Sequence, residues 1–500
     1  MTDDIVAIPK GRMVAFPRGS DIRTAKSTSD SNVKKLVEGH SSTGGTTMSR
    51  KEKKFGSVSR RTLLWAGAGL VGSGVLQSAL TMRAFAVGVS DKRPIGTWPA
   101  GSGGDTVNIG AAVPRTGTYA VQGEDELKGW QLAVDHINNG DPLLKKIAPK
   151  VEKGLLGKKV NLLSADSAAK PNQAVQEIQT FIDRNRIVLM TGATSSAVAV
   201  ALNKFAQREK ILYVTGLSGS NDTTGKDCVR YGFRQNFYGE TAANAIGPVL
   251  VKQFGKNRKA AFMTPDYTYG HTVTKSVNDY LTKNAGWTMV TNQISPLGTQ
   301  DFSEYLTNIA NSGAEFLVNV NWGRDAVLSI QQARQFGILP KMTLVVPYQI
   351  PFLAKETGPE LTAGVYAATD FWWSLEDKYP LAKMFVEAFD KKYGYKPEWG
   401  ANNAYMSFAI WARMVSEAGS FYPPDVIKQY EKGEKFDSTV GEVYFRKEDH
   451  QLVRPVIIVK GKAPKDMKNK EDYWEVLEVV PGAPLMQKPD AFGCNLGDYT

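Results

Sequence analysis

From about residue 106 onward, short apolar runs alternate with longer segments in which apolar positions recur every three to four residues. Runs of the first kind read as buried strands and segments of the second kind as amphipathic helices. Residues 107–113, 159–165, 187–191 and 211–215 are predicted strands, and 126–138, 172–183 and 197–209 predicted helices. In the first helix Leu127, Trp130, Ala133, Val134 and Ile137 share one face. The pattern restarts after Phe233-Arg234-Gln235-Asn236. Helices are predicted at 241–254, 271–284, 302–312 and 324–336, and strands at 259–264, 288–293, 316–320 and 343–346. A strand at 366–370, helices near 381–393 and 404–418, strands at 440–445 and 453–460, and a Pro/Lys-rich tail complete the chain. Repeated strand–helix–strand alternation predicts an α/β fold with parallel sheets covered by helices on both faces. Two such units in succession predict two lobes.

Composition changes this picture little. At 42% hydrophobic and 22% charged residues the chain is an ordinary globular one. Its net charge of +11 invites a nucleic-acid partner. However, residues 1–86 hold 14 Lys/Arg against 6 Asp/Glu, and the rest holds 47 against 44. The basicity belongs to the leader, so no nucleic-acid partner is expected. Two cysteines, Cys228 and Cys494, are too few for a disulfide framework or a Cys-type zinc site. They are either one disulfide or two free thiols.

Residues 1–58 are polar, without a sustained period, and read as a disordered leader. Translation starts at Met1 or at Met48, which precedes a leader of ordinary signal-peptide size. Residues 59–86 read as a signal peptide. Ser59-Arg60-Arg61-Thr62-Leu63-Leu64 comes first, then an uncharged stretch at 62–82, then Ala84-Phe85-Ala86. Adjacent arginines point to export by the twin-arginine (Tat) translocon, although Leu63 stands where that motif prefers Phe. Cleavage is expected after Ala86; the alternative is an uncleaved membrane anchor. Gly67-Ala68-Gly69-Leu70-Val71-Gly72, with Asp91 beyond it, imitates a dinucleotide fingerprint but lacks the strand–helix context that chemistry requires. Residues 87–104 read as a flexible linker.

Ligands of open parallel sheets bind beyond the carboxyl ends of the strands. In the first unit those ends carry Pro114–Tyr119, Gly192-Ala193-Thr194-Ser195-Ser196 and Gly216-Leu217-Ser218-Gly219-Ser220. The second carries Asp266-Tyr267-Thr268-Tyr269-Gly270, Asn321-Trp322-Gly323-Arg324 and Pro347-Tyr348-Gln349. Hydroxyls and backbone N–H groups at a helix start suit a carboxylate or amide oxygen, and aromatic walls bury an apolar body. The bland alternative is that Ser195 and Ser196 only cap the following helix. No catalytic chemistry is expected. Gly216–Ser220 lacks the last glycine of a nucleophile elbow, and His40, His136, His271 and His450 each stand alone. Asp125 and Glu126 read as a solvated helix start. No metal or cofactor is implied.

Over roughly residues 105–460 the chain resembles the type I periplasmic binding fold of leucine/isoleucine/valine-binding and amide/urea-binding proteins. The resemblance is carried by Val107-Asn108-Ile109-Gly110, Gly117-Thr118, Gly129-Trp130, Ala133-Val134, Ile137-Asn138, Asp166, Pro171 and Ala174-Val175. It continues through Gly192, Ser195-Ser196, Asp266, Tyr269-Gly270, Asp301-Phe302 and Gln332-Ala333-Arg334-Gln335-Phe336-Gly337, in family order. It implies two Rossmann-like lobes joined by a three-segment hinge. Lobe one would be 105–235 plus 370–437, lobe two 236–369 plus 438–480, and 481–500 a C-terminal tail.

The implied function is the extracytoplasmic solute-binding part of an ABC importer, periplasmic and partnered by a permease/ATPase complex; a ligand-sensing protein on the same fold is the alternative. The implied ligand residues are Ser196 with Ser195, Ser218 or Ser220, Tyr269, Trp322, and Gln122 where an aromatic often stands. One departure matters: amino-acid-binding members place an acid where this chain has Tyr348. An unpaired ammonium in a closed cleft is costly. The expected ligand is therefore a small amide, a urea-like solute or an apolar or aromatic carboxylate, with a branched-chain amino acid as the further alternative, and Trp372 and Trp373 join Tyr269, Trp322 and Tyr348 in the expected aromatic set.

Overall fold

The structure is a computed structural model that describes residues 104–499. The expected leader, signal segment, cleavage point and Gly67–Gly72 string lie outside the described residues. Among the described residues no helix is long and apolar enough to cross a membrane.

The first sheet holds β1 (Thr106–Val113), β2 (Lys159–Asp166), β3 (Leu189–Gly192), β4 (Leu212–Thr215) and β5 (Gly232–Phe233), ordered β2-β1-β3-β4-β5. All its pairings are parallel. Strands β3 and β4 are buried on both faces, as their unbroken apolar runs require. Helices α1 (Ala120–Asn139), α2 (Pro142–Ile147), α3 (Pro171–Asn185) and α4 (Ser196–Glu209) connect or flank these strands. Helix α1 begins six residues before the predicted 126. Its first turn is set by a close approach: a Cβ on Gly123 would lie 1.9 Å from the Pro114 carbonyl oxygen. A glycine here serves tertiary packing and hides the helix start from periodicity.

The second unit contributes α5 (Gly239–Phe254), β6 (Lys259–Pro265), α6 (Thr268–Ala285), β7 (Thr288–Ser295), α7 (Ser303–Ala310) and β8 (Phe316–Asn319). Next come α8 (Arg324–Gln335), β9 (Thr343–Val346), the short turns α9 (Leu353–Thr357) and α10 (Pro359–Thr362), and β10 (Tyr366–Thr369). The chain then returns to the first lobe with α11 (Pro380–Tyr393), α12 (Trp399–Ala418) and α13 (Pro423–Tyr430). Helix α12 lies along α1, where the Trp130 indole N–H donates to Ser407 Oγ at 3.1 Å.

Strands β11 (Phe436–Ser438), β12 (Gly441–Phe445) and β13 (Leu452–Val453) form a separate antiparallel sheet. Stacking of Phe233 on Tyr430 (4.3 Å) and on the buried His450 ring (4.0 Å) keeps this stretch beside the first sheet. The second sheet is rejoined only at β14 (Val456–Gly461), followed by β15 (Trp474–Val480), whereas the expected division starts it again at 438. Its order is β15-β14-β10-β9-β8-β6-β7, with β14 and β15 antiparallel.

Three segments cross between the sheets: β5 to α5, β10 to α11, and β13 to β14. Residues after Val480 make a fourth link. Leu485 O accepts from Asn244 Nδ2 at 2.8 Å in the second lobe. Further on, Cys494 is bonded to Cys228 of the first lobe, and Gly497 O accepts from Arg230 Nη2 at 2.7 Å.

The disulfide closes a loop of 266 residues. By the chain-entropy estimate such a closure stabilises by up to about 5 kcal/mol. Cys228→Ser should therefore lower the melting temperature by several degrees, and the unreduced wild type should resist alkylation in denaturant. Free thiols in that experiment would exclude the bond.

Candidate ligand-binding cleft

The loops beyond the strand ends of both sheets face each other. Six aromatic side chains in these loops and in the helix starts beside them form a closed circuit. Tyr119, at the start of α1, meets Trp322 edge-on at 5.2 Å, and Trp322 meets Trp399 at 6.1 Å. From Trp399 the circuit runs to Tyr348 at 5.7 Å, to Tyr269 at 5.6 Å and to Tyr267 at 5.7 Å. The Tyr267 and Tyr119 hydroxyls close it with a 2.7 Å hydrogen bond between the lobes. Gln122 Nε2 donates to Pro351 O at 3.0 Å, and the Ser220 and Thr268 hydroxyls share a 2.7 Å bond, also between lobes. Gly219 makes the approach possible, since a Cβ there would meet the Tyr348 ring at 2.9 Å. The two lobes are in the closed arrangement. Val121 and Phe352, the neighbours of Gln122 and Pro351, line an open groove of about 630 Å³ outside that bond.

Several buried polar atoms of this region have no hydrogen-bond partner: Tyr269 Oη, Trp322 Nε1, Gln122 Oε1 and Ser195 Oγ. Such groups are rare because each forfeits its hydration without compensation. Here they come from both lobes. Ser195 precedes α4 without making the usual side-chain cap, leaving that helix start open. Ser196 Oγ accepts from Ser220 N at 3.2 Å. Ser218 Oγ is bonded to Thr223 Oγ1 at 2.6 Å inside its own loop. Tyr348 stacks on Phe237 at 4.0 Å and donates its hydroxyl to Phe237 O at 2.8 Å, so it serves as a wall with its polar end spent on the hinge.

Trp372 and Trp373 do not join the circuit; they line a separate cavity beside the hinge. Tyr119 and Tyr267 fall in strand-end segments that the sequence points to but are not named there as ligand residues, and Trp399 is not indicated by the strand-end pattern. The one signal available for Trp399 is its place after Pro397-Glu398.

A family model described as "Periplasmic binding protein" matches residues 106–468. The chain belongs to that family. Leu/Ile/Val-binding protein homolog 8 of Brucella abortus (strain 2308) is 28% identical over 331 residues, 64% of this chain and 78% of the relative. Among solved structures, an amino acid ABC transporter substrate-binding protein from Pseudomonas fluorescens Pf-5 superposes with a TM-score of 0.70 at 24% identity, covering 79% of this chain and 100% of that one. A solute binding protein of an ABC transporter from Rhodopseudomonas palustris BisB5, in complex with 3,4-dihydroxy benzoic acid, gives 0.65 at 20% identity, covering 76% and 98%. These likenesses place the α/β, two-lobed architecture in the type I periplasmic-binding fold.

One expectation fails in this periplasmic binding protein. Asp125 and Glu126 are not a solvated helix start; both are fully buried, because α1 begins earlier and its second turn faces α12 and the first sheet. Asp125 Oδ2 accepts from Ala401 N at 2.8 Å, at the start of α12, where a carboxyl complements the helix dipole. Glu126 accepts from Thr194 Oγ1 beneath the Ser195 turn. Burial pushes Asp125 up to about 7 and Glu126, also beside Asp125, up to about 8.

A carboxyl that keeps its proton when folded but loses it when unfolded costs stability as pH rises between the two values. For Glu126 that interval runs from the ordinary 4.5 to about 8. Glu126→Gln removes the titration. Its melting temperature relative to wild type should therefore rise between pH 5 and pH 8. Parallel melting profiles across that range would show that Glu126 is ionised in the folded chain.

Proposed function

We propose that this chain is the exported solute-binding component of an ABC importer and clamps a small amide, urea-like solute or apolar or aromatic carboxylate between its lobes. Substrate-binding proteins of such transporters bind small molecules and work with a membrane permease complex. The observation that carries the ligand class is the aromatic circuit holding unpaired polar atoms from both lobes. Trp322 Nε1 can only donate and Gln122 Oε1 can only accept, so a ligand that meets both needs an acceptor and a donor, as an amide or urea has. A carboxylate would use Trp322 Nε1, Ser195 and the open start of α4. The complex of the Rhodopseudomonas palustris neighbour with 3,4-dihydroxy benzoic acid shows that this fold accommodates a ring acid. No acid stands at Tyr348 to meet an α-ammonium, which disfavours a free branched-chain amino acid.

Ligand binding would supply the partners the closed cleft lacks and so favour the closed state that a permease recognises. Tyr269→Phe deletes its unpaired hydroxyl and keeps the ring, whereas Trp322→Phe deletes the N–H together with part of the buried indole. Tyr269→Phe should leave the ligand-free melting temperature unchanged or slightly higher, Trp322→Phe should lower it, and each should weaken the ligand about tenfold, the loss of one hydrogen bond. Thermal shift with benzamide, urea, benzoate and leucine, followed by calorimetry on the variants, checks both parts. If leucine alone stabilises the protein the ligand class is wrong; unchanged affinity in both variants would remove the site.

For export the support is the leader pattern. Replacing Arg60 and Arg61 together by Lys should hold the chain in the cytoplasm, as fractionation would show. Export at the wild-type level would exclude the Tat route.

A further inference from the structure

Beside the hinge lies a second cavity, of about 160 Å³, that the cleft reading does not use. It is bounded by segments of both lobes. Trp372 and Trp373 come from the second crossing segment, Phe352 and Tyr473 from the second lobe, and Tyr395 and Glu398 from the approach to α12. Trp399, one residue on, faces the other way into the aromatic circuit and donates its indole N–H to Gln349 O at 3.1 Å. The first turn of α12 therefore separates the cavity from the cleft.

Trp372 is 2% exposed, and its Nε1 has no acceptor. Its neighbour Trp373, in the same wall, does have one, Glu471 O at 3.1 Å. The contrast matters because a buried indole N–H that lacks a protein partner marks a place where another acceptor belongs.

Lys355, Lys396 and Lys470 line the cavity, together with Glu398 and Glu471. Lys355 Nζ stands 5.9 Å from the Tyr395 ring centre and Lys396 Nζ 5.7 Å from that of Trp373. Lys396 is shared with Glu376 at 3.5 Å and Asp390 at 3.7 Å. Burial, together with the Asp125 carboxyl, pushes Glu398 up to about 8, so at neutral pH it is an uncharged wall rather than a repelling anion. The cavity is smaller than those that hold drug-sized ligands, and its apolar lining is aromatic.

We infer that this hinge cavity is a second binding site, for a small single-ring or branched carboxylate. The carboxylate would accept from Trp372 Nε1 and lie among the lysine ammoniums, with its apolar body against Phe352, Tyr395 and Tyr473. Such a ligand bridges segments of both lobes where they cross, so its occupancy bears on the same lobes that the cleft ligand closes.

Benzoate serves as the probe, titrated by calorimetry into the full chain and into Tyr269→Ala, in which the cleft is disabled. Binding should persist in Tyr269→Ala. Adding Trp372→Phe, which removes the N–H with the same loss of volume as the Trp373→Phe control, should weaken that remaining binding at least tenfold. Trp373→Phe, whose N–H already has a partner, should change it less than threefold. Melting curves establish that each variant is folded; should Trp372→Phe not fold, Lys355→Met read at low salt takes its place, with a several-fold weakening expected. Loss of all benzoate binding in Tyr269→Ala would overturn the hinge site while leaving the cleft intact. An affinity indifferent to Trp372→Phe would overturn it as well. Persistence of Trp372-dependent binding when no solute responds to cleft substitutions would support the hinge site and count against the cleft instead.

Discussion

Asp370 and Arg454, both fully buried, form the ion pair on which the two-lobed arrangement depends. They belong to different crossing segments. Arg454 Nη2 donates to Asp370 O at 2.7 Å, while its Nε lies 3.0 Å from Asp370 Oδ1 without hydrogen-bond alignment. Asp370 Oδ1 accepts instead from Phe237 N, at 3.1 Å, in the remaining crossing segment. Asn403 of α12 completes the cluster, donating to Asp370 Oδ2 at 2.7 Å and accepting from Arg454 Nη1 at 2.6 Å. A buried pair of this kind contributes little net stability over an apolar substitute, but removing one partner costs about 3–5 kcal/mol. Its directional bonds fix where the three strands of the hinge cross, which packing alone would leave looser.

The cleft inherits that geometry. Phe237, held by Asp370, receives the Tyr348 hydroxyl and stacks on its ring, so one wall of the aromatic circuit is set directly by the hinge. Arg234, in the same crossing segment, donates to the Ser218 and Ser220 carbonyls and holds the serine loop against the hinge as well. The lobes are held on each other by hydrogen bonds spread along the cleft, among them Tyr119 to Tyr267, Ser220 to Thr268, Gln122 to Pro351 O, Thr268 to Asp222 at 2.6 Å, Asn221 to Ser276 at 3.0 Å, Arg324 N to Thr118 O at 3.0 Å and Trp399 to Gln349 O. With the hinge fixed by its buried ion pair, a ligand's differential contacts act on this set of bonds when they decide between open and closed.

The regular part of this fold was legible because strands buried on both faces leave unbroken apolar runs, as at β3, β4 and β9. Helix starts at the cleft were not. α1, α6 and α12 all begin before the periodic pattern does, and their first turns carry Gln122, Tyr269 and Trp399. Residues there answer to the cleft rather than to a helix face, so periodicity fails at the positions that matter most for function. The burial of Asp125 and Glu126 was hidden for the same reason. Strand β15 was missed because Glu475 and Glu478, three residues apart at a half-exposed sheet edge, break both the unbroken apolar run of a buried strand and the strict alternation of an edge strand. The hydrogen bond of the Tyr348 hydroxyl to Phe237, 111 residues away, left no trace in the sequence, because it depends on where the hinge segments cross.

The C-terminal tail shows how covalent and non-covalent constraints divide the work. Between Val480 and Cys494 lie thirteen residues. Extended, they reach roughly 45 Å, so the disulfide by itself sets no tight limit on how far the lobes separate. The limit comes from docking. Gln487 bridges the lobes, its Nε2 donating to Glu240 Oε1 of α5 at 2.9 Å and its carbonyl accepting from Arg446 at 2.8 Å. Phe492 then packs edge-on against Tyr238 at 6.1 Å. These are weak, partly exposed contacts that a free peptide would not sustain. Anchoring at Cys228 makes their formation intramolecular, which raises the effective concentration of the tail at the hinge without adding a contact. The bond thus acts less as a tether on the lobes than as the condition for the tail to stay folded across them.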